Sequence, residues 1–252
     1  SDLICKGVKP KYYFISASGN SKSFSKKNLK KITNSLSSEQ KRFNIELSGG
    51  DTVNSNINSF TCCVVGFTNK IVKRHNSKVG DDIYITGNPG DSYLGLQILK
   101  KRFSLSKSLK KYFVSKFYRP SINLRMVDFL RKFANTSIDI SDGLMSDLEK
   151  IINKQKLSYK LFLNDIPISN NLKKLVDTKI ITKLSSVCSG DDYQILFTAT
   201  PSKSRIISKI SKQLGIKISK IGKIYAHSQK SEIIDEKKRK IAFKNKGYFH
   251  RF

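Results

Sequence analysis

Asp139, Asp142 and Asp147 fall within nine positions of the segment SIDISDGLMSDLEKI (residues 137–151), with Ser141 and Gly143 beside them. Acidic residues are scarce in this chain, 19 against 48 lysines and arginines, and 14 of the 19 are Asp. Several sit in comparable glycine- or serine-flanked motifs: SD at 1–2, GGDT at 49–52, VGDD at 79–82 and SGDD at 189–192. Asp caps helices and makes turns, which accounts for VGDDIYITG and puts Asp147 on a solvated helix face. The other motifs each join a predicted strand end to a turn or helix start, where ligands gather in α/β proteins. Carboxylates converging there repel one another unless a cation sits among them. Short Asp side chains with the hydroxyls of Ser141 and Thr52 nearby suit Mg²⁺, which takes oxygen ligands and bridges to substrate phosphates. The glycines let backbone amides approach phosphate oxygens, and a helix after Ser141 would aim its positive end at them. The residues point to a Mg²⁺-dependent phosphate or nucleotide enzyme. It has neither a G-x-x-x-x-G-K-[ST] loop nor a kinase-type catalytic loop.

The elements that must position these residues alternate between helix and strand, as in an α/β protein. Leu29, Ile32, Leu36 and Phe43 recur at helical spacing over 25–43. NIELS follows, then a Gly-Gly turn in GGDT, then a strand in FTCCVVGFT. DDIYITG (81–87) reads as a strand closed by glycine, and helices are predicted at 91–101, 107–117 and 121–134, the last started by Pro120. TSIDIS is a strand and DGLMSDLEKIINK an amphipathic helix with Leu144, Leu148, Ile151 and Ile152 inward. YQILFTA (193–199) is another strand, and PSKSRIISKISKQLG a helix stopped by Gly215. KSEIIDEKKRKIAFKNKGYF reads as a terminal hairpin. The domain seam is expected near 73–80, giving units of 1–75 and 76–252.

Composition narrows the classes further. The net charge of +29 invites a nucleic-acid reading. Only nine of the 48 basic residues are Arg, and no dense basic tract or interleaved aromatic platform occurs, so the charge reads as a solvated face. No run approaches the ~18–20 apolar residues that span a bilayer, and no basic-then-apolar leader opens the chain. No membrane association and a cytoplasmic location are expected. Cys5, Cys62, Cys63 and Cys188 lack zinc or disulfide spacing; Cys62 and Cys63 are expected to be small buried hydrophobes.

SDLICKGVKPKYYFIS, LSGGDTV, KRHNSKVGDDIYITGNPGDSYLGL, DISDGL, SGDDYQILFT and a closing GYFHRF, in that order, resemble the bacterial thiamine-monophosphate kinases over the whole chain. That resemblance implies a two-domain α/β (α+β) architecture of the aminoimidazole-ribonucleotide-synthase-like superfamily, with mixed sheets flanked by helices. It implies that ATP phosphorylates thiamine monophosphate directly, giving thiamine diphosphate. Asp2, Asp51, Asp139 and Asp142 would hold Mg²⁺, with Asp142 the most sensitive of them. Gly50, Asp51, Arg74 and Ser141 would contact ATP, and Asp191 and Tyr248 the thiamine moiety. The family has a segment before the SD motif, so the chain reads as N-terminally truncated, and a homodimer is expected where that segment is present. Gln194 replaces the family's Glu after DY, RPSINLR replaces a P-x-P-R segment and leaves Arg125 unplaced, and His75, Asn76 and Ser77 stand where Ser-Gly-Ala is usual. His75, His227 and His250 do not look catalytic, which suits an acceptor phosphate that needs no general base. The rival readings are another ATP-dependent enzyme of the superfamily, selenophosphate-synthetase-like, and a basic nucleic-acid-binding protein.

Overall fold

The computed structural model describes residues 1–241 and 247–248. The chain divides into two compact units, Gly7–Ile71 and Ser1–Lys6 with Val72–Phe252. The larger unit opens with a one-turn helix, α1 (Asp2–Cys5). The smaller unit then supplies β1 (Lys9–Gly19), α2 (Lys26–Phe43), β2 (Glu46–Asn54) and β3 (Ser59–Phe67). Its sheet has the order β2-β1-β3, parallel between β1 and β2 and antiparallel between β1 and β3.

Two expectations fail in this unit. GGDT makes no turn: Gly49, Gly50 and Asp51 pair with Phe14, Ile15 and Ser16 inside β2. Glycine is needed for the close approach of the two backbones, since a Cβ on Gly50 would run into the Ile15 carbonyl. Cys62 and Cys63 are exposed. Cross-strand partners share a face, so Tyr12 and Phe14 lie with Val65 and Cys63, and Ile15 and Ala17 with Cys62 and Phe60. Ile15, Ala17 and Phe60 of the second set line one groove with Leu29, Ile32 and Leu36 of α2. The first has no element of the unit over it among the described residues, and Phe14 is 42% exposed.

The larger unit is built on a six-stranded sheet. Its elements follow as β4 (Asp82–Thr86), α3 (Asp91–Leu99), α4 (Lys107–Tyr118), α5 (Val127–Leu130), β5 (Thr136–Asp139), α6 (Leu144–Ile152) and β6 (Leu157–Phe162). After these come α7 (Asn170–Asp177), α8 (Lys183–Val187), β7 (Ile195–Ala199), α9 (Ser204–Leu214), β8 (Ile218–Ala226) and β9 (Glu232–Ile234). The strand order is β5-β7-β4-β8-β6-β9, antiparallel throughout except between β6 and β9.

Strand alternation sorts the core onto the two faces. Ile83 and Ile85 pack with Leu144, Leu148 and Ile151 of α6 on one face. Tyr84 packs with Leu130 of α5 and with Ile207 and Ile210 of α9 on the other. Leu144, Leu148 and Ile151 are fully buried, each worth roughly 1.5–3 kcal/mol of transfer free energy.

The predicted helix at 121–134 shortens to a 3₁₀ turn, Leu124–Met126, and the single turn of α5. Asn123 sets the break: its side-chain amide donates to Gln194 Oε1 at 3.1 Å and to Thr86 Oγ1 at 3.3 Å, and its backbone stands at φ −90°, ψ 67°. At the tail, Ile234 bridges to Lys240 antiparallel, closing the start of the expected hairpin; 242–246 and Phe249, with His250 and the rest of GYFHRF after Tyr248, lie outside the described residues. Among the described residues no helix is long and apolar enough to cross a membrane.

Candidate active site

The Ser141–Gly143 turn links the end of β5 to α6, and a buried carboxylate holds its shape. Asp147, placed on a solvated face by the sequence, has a fully buried side chain. Its Oδ2 accepts the backbone N–H groups of Ser141, Asp142 and Gly143 at 3.0, 3.0 and 3.2 Å. Its Oδ1 accepts Lys150 Nζ at 2.7 Å. Burial raises the pKa of the Asp147 carboxyl, and Lys150 and the Asp142 amide pull it back. Four donors point at these two oxygens, so the ionised form is the one the geometry accommodates. This overturns the expectation that the amides ahead of α6 face a phosphate, because Asp147 already takes all three.

Lys150, unremarked in the sequence, also bonds the carboxylate of Asp142. Partial burial works against its ammonium, but the hydrogen bonds and charges of Asp142 and Asp147 outweigh that and raise its pKa. The i,i+3 spacing of Asp147 and Lys150 was the available signal.

The second wall is the segment Ser189–Gln194. Asp191 N–H donates to the Ser141 carbonyl at 2.9 Å, and Tyr193 N–H to the Ile140 carbonyl at 2.8 Å. Gly190 stands at φ 82°, and a Cβ there would strike the Ser141 carbonyl, so the two segments meet backbone to backbone. Asp191 and Tyr193 both hold positive φ, 59° and 53°, a conformation that for Tyr costs about 1–3 kcal/mol and is fixed by these bonds. Tyr193 Oη donates to Asp191 Oδ1 at 3.2 Å. Tyr248 N–H donates to the Asp142 carbonyl at 2.8 Å.

Ser141, Asp142, Asp191 and Tyr248 consequently line one cleft of 760 Å³. Tyr93, Gln97, Lys100 and Arg102, from α3 and the residues after it, and Tyr193 also line it, none of them predicted. A separate cleft lies on the other side of the 191–194 segment, lined by Asp192, Gln194 and Arg125. Asp192 is buried, and burial drives its carboxyl well up, against the pull of the Gly90 amide at 2.9 Å.

Of the other candidates in the larger unit, none is among the residues that line that cleft. Asp139 is buried and accepts the Ser1 hydroxyl at 2.6 Å, while Asp2 is exposed on α1. Arg74 is exposed, on a stretch whose Lys73 carbonyl accepts Ser137 N–H of β5 and whose Asn76 side-chain amide donates to the Asn135 carbonyl just before it. Its charge helps to lower the pKa of Lys6, behind the larger effect of burial. Gly50 and Asp51 belong to the smaller unit. Among the described residues no three His, Cys, Asp or Glu side chains group closely enough to hold a metal ion by themselves. The donors fit a Mg²⁺ of the kind that takes one or two carboxylates and completes its shell with substrate phosphates and water.

Sheet, turn and cleft together define a fold of the aminoimidazole-ribonucleotide-synthase-like class. The structure matches that of AaThiL complexed with AMPPCP and TMP with a TM-score of 0.82 at 22% identity, over 98% of this chain and 76% of that one. It matches Escherichia coli HypE, a hydrogenase maturation protein, at 0.78 and 13% identity, over 96% and 75%. No family model matches the sequence. Against individual proteins, it is 36% identical to the thiamine-monophosphate kinase of Buchnera aphidicola subsp. Schizaphis graminum (strain Sg), across 99% of this chain and 77% of that protein. The chain belongs to the thiamine-monophosphate kinase family.

Proposed function

We propose that the chain transfers the γ-phosphoryl group of ATP to the phosphate of thiamine monophosphate, releasing thiamine diphosphate and ADP. The observation that carries this reading is the meeting of Ser141, Asp142, Asp191 and Tyr248, from three separate segments, in one cleft of a family member. Ser141 contacts ATP, with Gly50, Asp51 and Arg74 as further ATP contacts by resemblance. Asp191, backed by Tyr193 and facing the same cleft as Tyr248, offers a carboxylate and aromatic faces to the cationic thiamine rings. Lys100 and Arg102 bring fixed positive charge to the cleft and suit the monophosphate. The acceptor, with a second pKa near 6, is already mostly dianionic at neutral pH. The protein has to hold two polyanions in line and neutralise them, not remove a proton. Mg²⁺, when bound, would be held by Asp142 and Asp139, with Asp2 and Asp51 as further carboxylates, and would supply charge neutralisation between the phosphates.

The test is incubation of the purified chain with Mg-ATP and thiamine monophosphate, followed by mass. The expected result is a product heavier by one phosphoryl group, with ADP in equal amount. ATP binding with no phosphorylation of thiamine monophosphate would move the reading to another reaction of the superfamily.

The uncovered face carrying Tyr12, Phe14, Cys63 and Val65 supports a homodimer formed through the smaller unit in protein that carries the segment expected before the SD motif. The exposed Cys63 thiol reports on it. It is expected to react with iodoacetamide at nanomolar protein and to be protected at micromolar protein, with light scattering giving twice the chain mass. Cys5 and Cys188, buried and with thiol pKa pushed up to about 12 chiefly by burial, stay unreactive at both until the protein unfolds. Cys63 labelling that does not change with concentration would place the pairing elsewhere.

A further inference from the structure

A site built to bring two polyanions together needs positive charge, and Asp142 of the DISDG turn already shares a cation with Asp147 of α6. Lys150 Nζ bonds Asp142 Oδ2 on one side and Asp147 Oδ1, at 2.7 Å, on the other. The two carboxylates differ in what else they do. Asp147 is fully buried and committed to the three amides of the turn. Asp142 is 21% exposed and lines the cleft with Ser141 and Asp191. The ammonium is anchored on the buried acid and laid across the exposed one. Lys150 is itself 34% exposed, so its stem can swing while Nζ stays within reach of Asp147.

We infer that Lys150 is a positioning residue that acts through Asp142: it holds that carboxylate in the metal-free protein and gives it up when a divalent cation arrives. The inference rests on the reading of Asp142 as a metal ligand. Two cations cannot share one small carboxylate without repulsion, so an ammonium on Asp142 weakens metal binding to the empty enzyme. The metal is then held tightly only when it arrives on nucleotide phosphates, whose negative charge outweighs the ammonium. Once displaced, the ammonium remains on Asp147, beside the turn that carries Ser141, where it adds a fixed positive charge for the reacting phosphates.

A residue that merely braces the turn predicts the opposite sign for metal binding, and this makes the two separable. Mn²⁺ alone, without nucleotide, is titrated against the protein and followed by electron paramagnetic resonance, with melting recorded in parallel. Lys150→Met is expected to bind Mn²⁺ about five- to tenfold more tightly than the wild type, because the competing charge is gone. Its turnover with Mg-ATP and thiamine monophosphate is expected to fall. Lys150→Arg restores the wild-type Mn²⁺ affinity, and Lys150→Gln, which keeps a donor for Asp147 without the charge, reproduces the tightening with the turn supported. Unchanged or weaker Mn²⁺ binding in both Met and Gln variants, with binding lost in Asp142→Asn, overturns the inference and leaves Asp142 as a ligand. Mn²⁺ binding that survives Asp142→Asn undiminished removes the metal reading itself and this inference with it.

Discussion

Asp142→Asn is expected to lower Mg²⁺-dependent turnover by about 10²–10³-fold while leaving the fold in place. Two bonds that hold the turn run through the backbone of Asp142: its N–H donates to Asp147 at 3.0 Å, and its carbonyl accepts Tyr248 N–H at 2.8 Å. Neither depends on the side chain. The substitution keeps the side-chain shape and removes one negative charge from a cleft-facing position, and Lys150 keeps Asp147 as its partner. The lost pair with Lys150 is partly exposed, and such pairs are worth no more than ~1 kcal/mol. Circular dichroism melting close to the wild type, together with collapsed turnover at saturating Mg-ATP, is the expected combination. Turnover at the wild-type level would count against any role for this carboxylate in the reaction.

Asp147→Ala is expected to give the largest loss of stability, about 3–5 kcal/mol, out of the ~5–15 kcal/mol typical of a folded domain. The deletion leaves three turn amides without their acceptor, each costing about 1 kcal/mol or more where water does not reach, and strands the Lys150 ammonium on Asp142 alone. Asp147→Asn, which keeps one acceptor oxygen but turns a donor toward an ammonium or an amide, should lose roughly half as much. Urea denaturation measures both. Turnover should fall in step, because Ser141 and Asp142 are carried on the turn that Asp147 holds. An Ala variant with the wild-type urea midpoint would show that water satisfies the amides and that the turn needs no internal anchor.

The two effects separate what one acidic motif does. Asp142 and Asp147 lie five residues apart in a chain poor in acids, and their local sequence does not say which of them is buried. One reading of the stretch takes the crowding as a ligand site and Asp147 as a bystander. In the folded protein Asp147 is the more buried and the more heavily bonded, and it uses the amides that a phosphate was expected to take. The helix start still shapes the site, through the carboxylate that caps it.

Helical and strand periods are local, and they carried far into this fold. Leu29, Ile32 and Leu36 do share one side of α2, Ile206 to Leu214 do form a helix that Gly215 ends in the left-handed conformation, and the apolar runs ending at Thr86 and Ala199 are central strands. The order of short motifs was equally legible and identified the family, because a motif records chemistry that the chain must present whatever surrounds it. GGDT failed as a turn because a turn is the local preference of Gly-Gly, whereas β1, some 35 residues earlier, offers a parallel partner whose backbone only glycine can approach. The helix at 121–134 failed because Asn123 finds Gln194 and Thr86, which come near it only once β4 and β7 are paired. The residue types, the motifs and the family were determined by the sequence alone. Which acid is buried, which amides it takes, and that Lys150 is the cation between Asp142 and Asp147 were decided by tertiary structure, because a charge's partners and its access to water are set by what packs around it.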